Sequence, residues 1–104
     1  MKTVRPLVLD LDRDDVPVGE PLAVRVRDGR GKPVADALVA SARSEARTGP
    51  DGRCRLTFRA PGFRRVVAAK EPGERVAYEP TSALVRAVPA STRRLAGRMD
   101  ARSD

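Results

Sequence analysis

Cys54 is the chain's one thiol, and histidine is absent from all 104 residues. A Ser-His-Asp or Cys-His relay therefore has no member to act as base, and a histidine zinc site has no ligand. One cysteine can form neither a thiolate zinc cluster nor an internal disulfide. Its place in the run Arg53-Cys54-Arg55-Leu56 turns it inward, which predicts a small buried apolar group and not a nucleophile. Carboxylates cluster once, at Asp10, Asp12, Asp14, Asp15 and Glu20. Oxygen-rich spacing can hold calcium, but against an EF-hand loop Asp15 takes the glycine position and Pro21 the bidentate glutamate position. These acids are read as solvated loop charges or partners for nearby arginines. Asp36, Asp51 and Glu79 sit in turns, without the paired placement that hydrolysis needs. Gly29-Arg30-Gly31-Lys32-Pro33 is too short for a phosphate loop and has proline where serine or threonine belongs. No enzymatic activity, metal or cofactor is expected.

Arginine offers the other chemistry. Eighteen arginines and three lysines face fourteen acids, a net charge of +7. Residues 1–52 carry nine basic and nine acidic groups; residues 53–104 carry twelve and five, so the whole excess lies in the second half. Such asymmetry can mark an anionic partner. If the strands around Leu22–Arg27 and Arg53–Arg59 lie side by side, Arg25, Arg27, Arg53, Arg55 and Arg59 share one exposed sheet face. Like charges there repel unless acids, phosphates or water screen them. With Arg93, Arg94, Arg98 and Arg102 they would make a footprint for nucleic acid or an acidic protein. No aromatic residues interleave with them to stack on bases. Phe63, Val67 and Ala69 beside Arg65 form a second surface, an apolar patch for another copy or a partner protein unless a loop near Tyr78 covers it.

Period-two alternation positions these groups. Leu7, Leu9 and Leu11 alternate with Val8, Asp10 and Asp12, and Leu22, Val24 and Val26 alternate with Ala23, Arg25 and Arg27. Residues 13–20 read as loop. Ala37, Val39 and Ser41 are expected inward, Ser44 to Thr48 as a short edge strand, and Cys54, Leu56 and Phe58 as the next inner face. Phe63–Lys70 is open in register: Val66 and Ala68 are buried, or else Phe63, Val67 and Ala69 with Arg65. Glu71–Glu74 reads as loop and Tyr78 as part of a proline-bounded connection. Ala83, Val85 and Ala87 face inward from a last strand, Ser82 to Val88. Turn chemistry punctuates the chain at Asp28–Pro33, Thr48–Gly52 and Ala60–Gly62, with Gly31 and Gly52 suited to positive φ. Only three aromatic residues are present, Phe58, Phe63 and Tyr78, so valine, leucine and alanine must build the core.

Gly19-Glu20-Pro21-Leu22, Gly31-Lys32-Pro33-Val34-Ala35-Asp36-Ala37-Leu38-Val39, Thr48-Gly49-Pro50-Asp51-Gly52, and Gly62 followed by Val66 and Ala68-Ala69-Lys70 resemble the carboxypeptidase regulatory-like domains. The resemblance spans roughly residues 5–89. It implies an all-β, antiparallel two-sheet sandwich of the Ig-like, transthyretin-like kind with about seven strands. Members of that family commonly serve as structural, spacer or adhesion modules. The domain is expected over residues 1–89, with residues 90–104 a basic tail, disordered or briefly helical.

The leading expectation is a non-enzymatic structural or protein-interaction module, with a protein partner or self-association. Its interaction surface is drawn from Arg25, Arg27, Arg53, Arg55, Arg59, Phe63, Arg65 and Val67. One alternative is an accessory nucleic-acid-binding protein using the arginine rows and the tail; a second is an Ig-like adhesion or spacer module. No signal peptide or membrane-spanning run is visible, which makes cytoplasm the expected location.

Overall fold

A computed structural model describes residues 3–89. Leu22, Val24 and Val26 are almost fully buried, while Ala23 and Arg25 between them are open to water. The same alternation runs through Leu56, Val66 with Ala68, and Val85 with Ala87. Nine strands result: β1 (Thr3–Leu11), β2 (Asp15–Pro17), β3 (Pro21–Asp28), β4 (Leu38–Ser41), β5 (Ser44–Arg47), β6 (Arg53–Thr57), β7 (Gly62–Ala69), β8 (Val76–Glu79) and β9 (Thr81–Val88). Among the described residues no helix is long and apolar enough to cross a membrane.

The strands form two sheets, in the orders β6-β3-β1-β8 and β2-β9-β7-β4-β5. Their inward residues make one apolar cluster, from Leu7, Leu22, Val24, Val26, Leu56 and Phe58 on one side to Val39, Val66, Ala68, Val85 and Ala87 on the other. Each fully buried valine or leucine contributes about 1.5–3 kcal/mol of transfer free energy. The β7 register is settled in favour of burying Val66 and Ala68. Of the other expected inward residues, Ala37, Val39, Ser41, Leu56, Phe58, Val85 and Ala87 are buried, while Cys54 and Ala83 are half-buried.

Three expectations need correction. Nine strands stand where about seven were expected. The segment 13–20 is not all loop, because β2 pairs in parallel with β9, placing Val16 opposite Ala87 with no exposure. Tyr78 does not lie in a loop: β8 pairs in parallel with the Thr3–Pro6 end of β1. The sheets are thus mixed, antiparallel except at these two pairs. Elements as short as β2 and β8 show little alternation of their own, and a parallel partner far along the chain leaves no turn signature, unlike the equally short but antiparallel β4 and β5. The tail beyond Pro89 lies outside the described residues.

Turns set the spacing. Gly31 and Gly52 have φ of 88° and 75°, as expected for residues without a Cβ. At Gly52 a Cβ would also run into the carbonyl oxygen of Val26, whose own N–H donates to the Gly52 carbonyl at 2.7 Å. Asp28 closes the β3 end of the neighbouring turn. Its Oδ1 accepts from the N–H groups of Arg30 at 2.9 Å and Lys32 at 3.0 Å. Its other oxygen lies 3.6 Å from the Arg5 guanidinium.

Candidate interaction surfaces

Pairing of β3 with β6 sets Arg25 opposite Arg53 and Ala23 opposite Arg55. Directly opposed side chains in such a pair have Cβ atoms about 4.5–5.5 Å apart, so Arg25 and Arg53 repel across the ladder. Four of the five expected arginines, Arg25, Arg27, Arg53 and Arg55, do share the outer face of the four-stranded sheet. Arg59 does not. Strand β6 ends at Thr57, and Arg59 falls in the turn that leads to Gly62.

Acids dilute this face. On β1, Asp10 stands opposite Arg25 but bonds diagonally to Arg27, whose Nε donates to Oδ2 at 2.6 Å. That hydrogen bond, and then the charge of Asp10, raise the pKa of Arg27 above its ordinary value. Asp12 Oδ1 accepts from the N–H of Ala23 and Asp51 Oδ1 from that of Arg53, each at 3.1 Å. An open cleft of about 560 Å³ is lined by Arg25, Arg53 and Arg55 and by Asp10, Asp12 and Asp51. Three cations and three anions leave its lining neutral. The expected carboxylate cluster is divided, since Asp15 pairs with Arg86 at 3.4 Å on the other sheet. Among the described residues no group of three His, Cys, Asp or Glu is placed to hold a metal ion. Cys54 is half-buried, and desolvation pushes its thiol pKa up, away from a reactive thiolate.

The outer face of the five-stranded sheet differs. Phe63 is 75% exposed, Leu84 61% and Val67 38%. On the β7–β9 ladder Phe63 stands opposite Arg86, Arg65 opposite Leu84, and Val67 opposite Ser82. Across β7 and β4, Val67 meets Ala40 and Ala69 meets Leu38. The expected residues Phe63, Arg65 and Val67 are therefore together on one face. Tyr78 belongs to the opposite sheet and packs against the core, so it does not cover them. Leu84 is the member sequence reasoning missed. Its signal was present, because inward Ala83 and Val85 leave Leu84 pointing outward. No protein-family model matches the chain, and none of the curated proteins matches it.

Proposed function

We propose that the protein is a non-enzymatic, cytoplasmic interaction module that binds another protein through the outer face of its five-stranded sheet. The observation that carries this reading is the exposure of Phe63, Leu84 and Val67 on that face, three of the four large apolar residues open to water among the described residues. Burying such residues is the main favourable term in protein association. Arg65 among them selects the partner's chemistry: an apolar centre carrying a carboxylate. A second copy fits less well, because a two-fold axis through this patch would bring the two Arg65 side chains together. Two sheets closing on one core, with the successive strands β1 and β2 on opposite sheets, support reading the fold as an Ig-like, transthyretin-like sandwich of the carboxypeptidase regulatory-like kind. The nucleic-acid alternative draws support from Arg25 opposite Arg53, and loses it to the three acids in the same cleft.

Capture from native lysate, with mass spectrometric identification, tests the reading. Phe63→Asp and Leu84→Asp should each abolish capture of a nuclease-resistant partner while leaving the melting temperature unchanged. Arg65→Glu should weaken capture by about tenfold, the effect of losing a charge-assisted bond. Retention that survives Phe63→Asp but fails with nuclease, or with Arg53→Glu and Arg55→Glu, moves the function to nucleic acid. A wild-type dimer at micromolar concentration that Phe63→Asp dissociates moves it to self-association.

A further inference from the structure

At one end of the molecule the β4–β5 turn faces the segment after β6 across an open cleft of about 720 Å³. Ser41, Arg43, Phe58, Arg59, Arg64 and Glu45 contribute to its lining. Ser41 lies on the inner side of β4 and is 3% exposed, and among the described residues its buried Oγ has no hydrogen-bond partner. A hydroxyl that has given up water without a replacement is costly, and a ligand oxygen is the replacement this position lacks. Three arginines, Arg43, Arg59 and Arg64, line the same cleft. Arg43 and Arg59 form no ion pair or side-chain hydrogen bond among the described residues. Arg64 is held in place by donating from one terminal nitrogen to the carbonyls of Ala60 and Pro61, each at 3.3 Å, which leaves its other N–H groups free to point elsewhere. Glu45 is the cleft's one acid, so three cations and one anion give the lining a surplus of two positive charges. The turn beneath is strained as well. Ala42 has a φ of 51° at the first position of a two-residue hairpin loop, where glycine carries no steric penalty.

We propose that this cleft binds a small ligand bearing a phosphate-type oxyanion, with Arg43, Arg59 and Arg64 as cationic donors and the Ser41 hydroxyl donating to an anion oxygen. Guanidinium forks match the oxygens of phosphate two at a time, which a lone ammonium does not. The volume is in the range of sites for small molecules, about 300–1,000 Å³. The neutral cleft around Arg25 and Arg53 has more room for compensation by its own acids and no orphaned hydroxyl, so the two arginine groups are not equivalent. The site is separate from the sheet face of Phe63 and Leu84 and stands or falls independently of it.

Pyrophosphate, titrated at constant ionic strength into the isotope-labelled full chain and followed by amide resonances, tests the assignment. The expected result is saturable binding with shifts confined to residues 41–45 and 58–64. Arg43→Gln and Arg59→Gln should each weaken it by about tenfold. Ser41→Ala should also weaken it while leaving the melting temperature equal or higher, because it removes an unsatisfied group; a purely structural serine would show the opposite pattern. Leu84→Ala, on the sheet face outside this segment, should leave the affinity unchanged. Shifts that never saturate and spread equally over Arg25, Arg53 and Arg55 overturn the proposal, as does unchanged affinity in both Arg43→Gln and Arg59→Gln.

Discussion

Thr48 is 5% exposed and joins two backbone segments through one hydroxyl, which donates to the Val34 carbonyl at 2.6 Å and accepts from the Ala37 N–H at 2.8 Å. Thr48→Val keeps the shape but strands both backbone groups, and each buried unsatisfied group costs about 1–3 kcal/mol. Urea unfolding should show a loss of about 2–4 kcal/mol for Thr48→Val and clearly less for Thr48→Ser, which keeps the hydroxyl. Asp28 carries a pH dependence. Burial by itself would raise its pKa, but the N–H groups of Lys32 and Arg30 and the charges of Arg5 and Arg30 outweigh it and bring the pKa down. The folded state therefore holds this carboxylate ionised at a pH where the unfolded chain has begun to bind a proton. Its contribution is complete above the unfolded value, about 3.9, and is lost as pH falls through the lower folded value. Thermal midpoints measured from pH 7 to pH 2 should fall at the acid end, and Asp28→Asn should start lower at pH 7 and fall less steeply.

The longer strands, with apolar side chains at every second position, were legible in the sequence, as were the four-residue β4 and β5. The inward set of β7 was not, since both its faces are partly apolar and only the structure shows Val66 and Ala68 buried. The β2 and β8 strands were not legible either. In β2 the buried residues are Val16 and Pro17, next to an exposed aspartate, and so short a run ending in proline reads as loop in any local window. Its place is fixed by β9, some seventy residues away, through the Val18 N–H bond to the Val88 carbonyl at 2.8 Å. Val16→Ala should accordingly cost about 1.5–3 kcal/mol, a core-sized loss from a segment that looks like a linker. The surfaces divide the same way. Arg25 opposite Arg53 follows once the two runs are paired, whereas the neutralising Asp10 and Asp12 depend on the register of β1 against β3, which no turn between them dictates. Arg59 left its row because β6 and its pairing with β3 end at Thr57, although burial still alternates through Phe58 and Arg59.

Across the whole molecule, five ion pairs are formed among the described residues, and four of them have both side chains at least one-third exposed. Exposed pairs of this kind contribute about 0–1 kcal/mol each. Opposing them is a net charge of +7 with several guanidiniums unpaired, including Arg25 and Arg53 directly across a ladder. If the ion pairs dominated, salt would lower stability; if repulsion dominates, salt will raise it. Repulsion should win, because the uncompensated cations include neighbours within a Debye length, about 8–10 Å near physiological salt, and the pairs are already bathed in water. Raising sodium chloride from about 10 mM, where the Debye length is near 30 Å, to about 1 M, where it is near 3 Å, should therefore raise the melting temperature by a few degrees. Arg53→Gln removes one side of the cross-strand repulsion, a change of about 0.2–1 kcal/mol. It should lift the low-salt melting temperature above the wild-type value and shrink the rise with salt. A melting temperature that falls on adding chloride would show the five ion pairs to be the stronger influence.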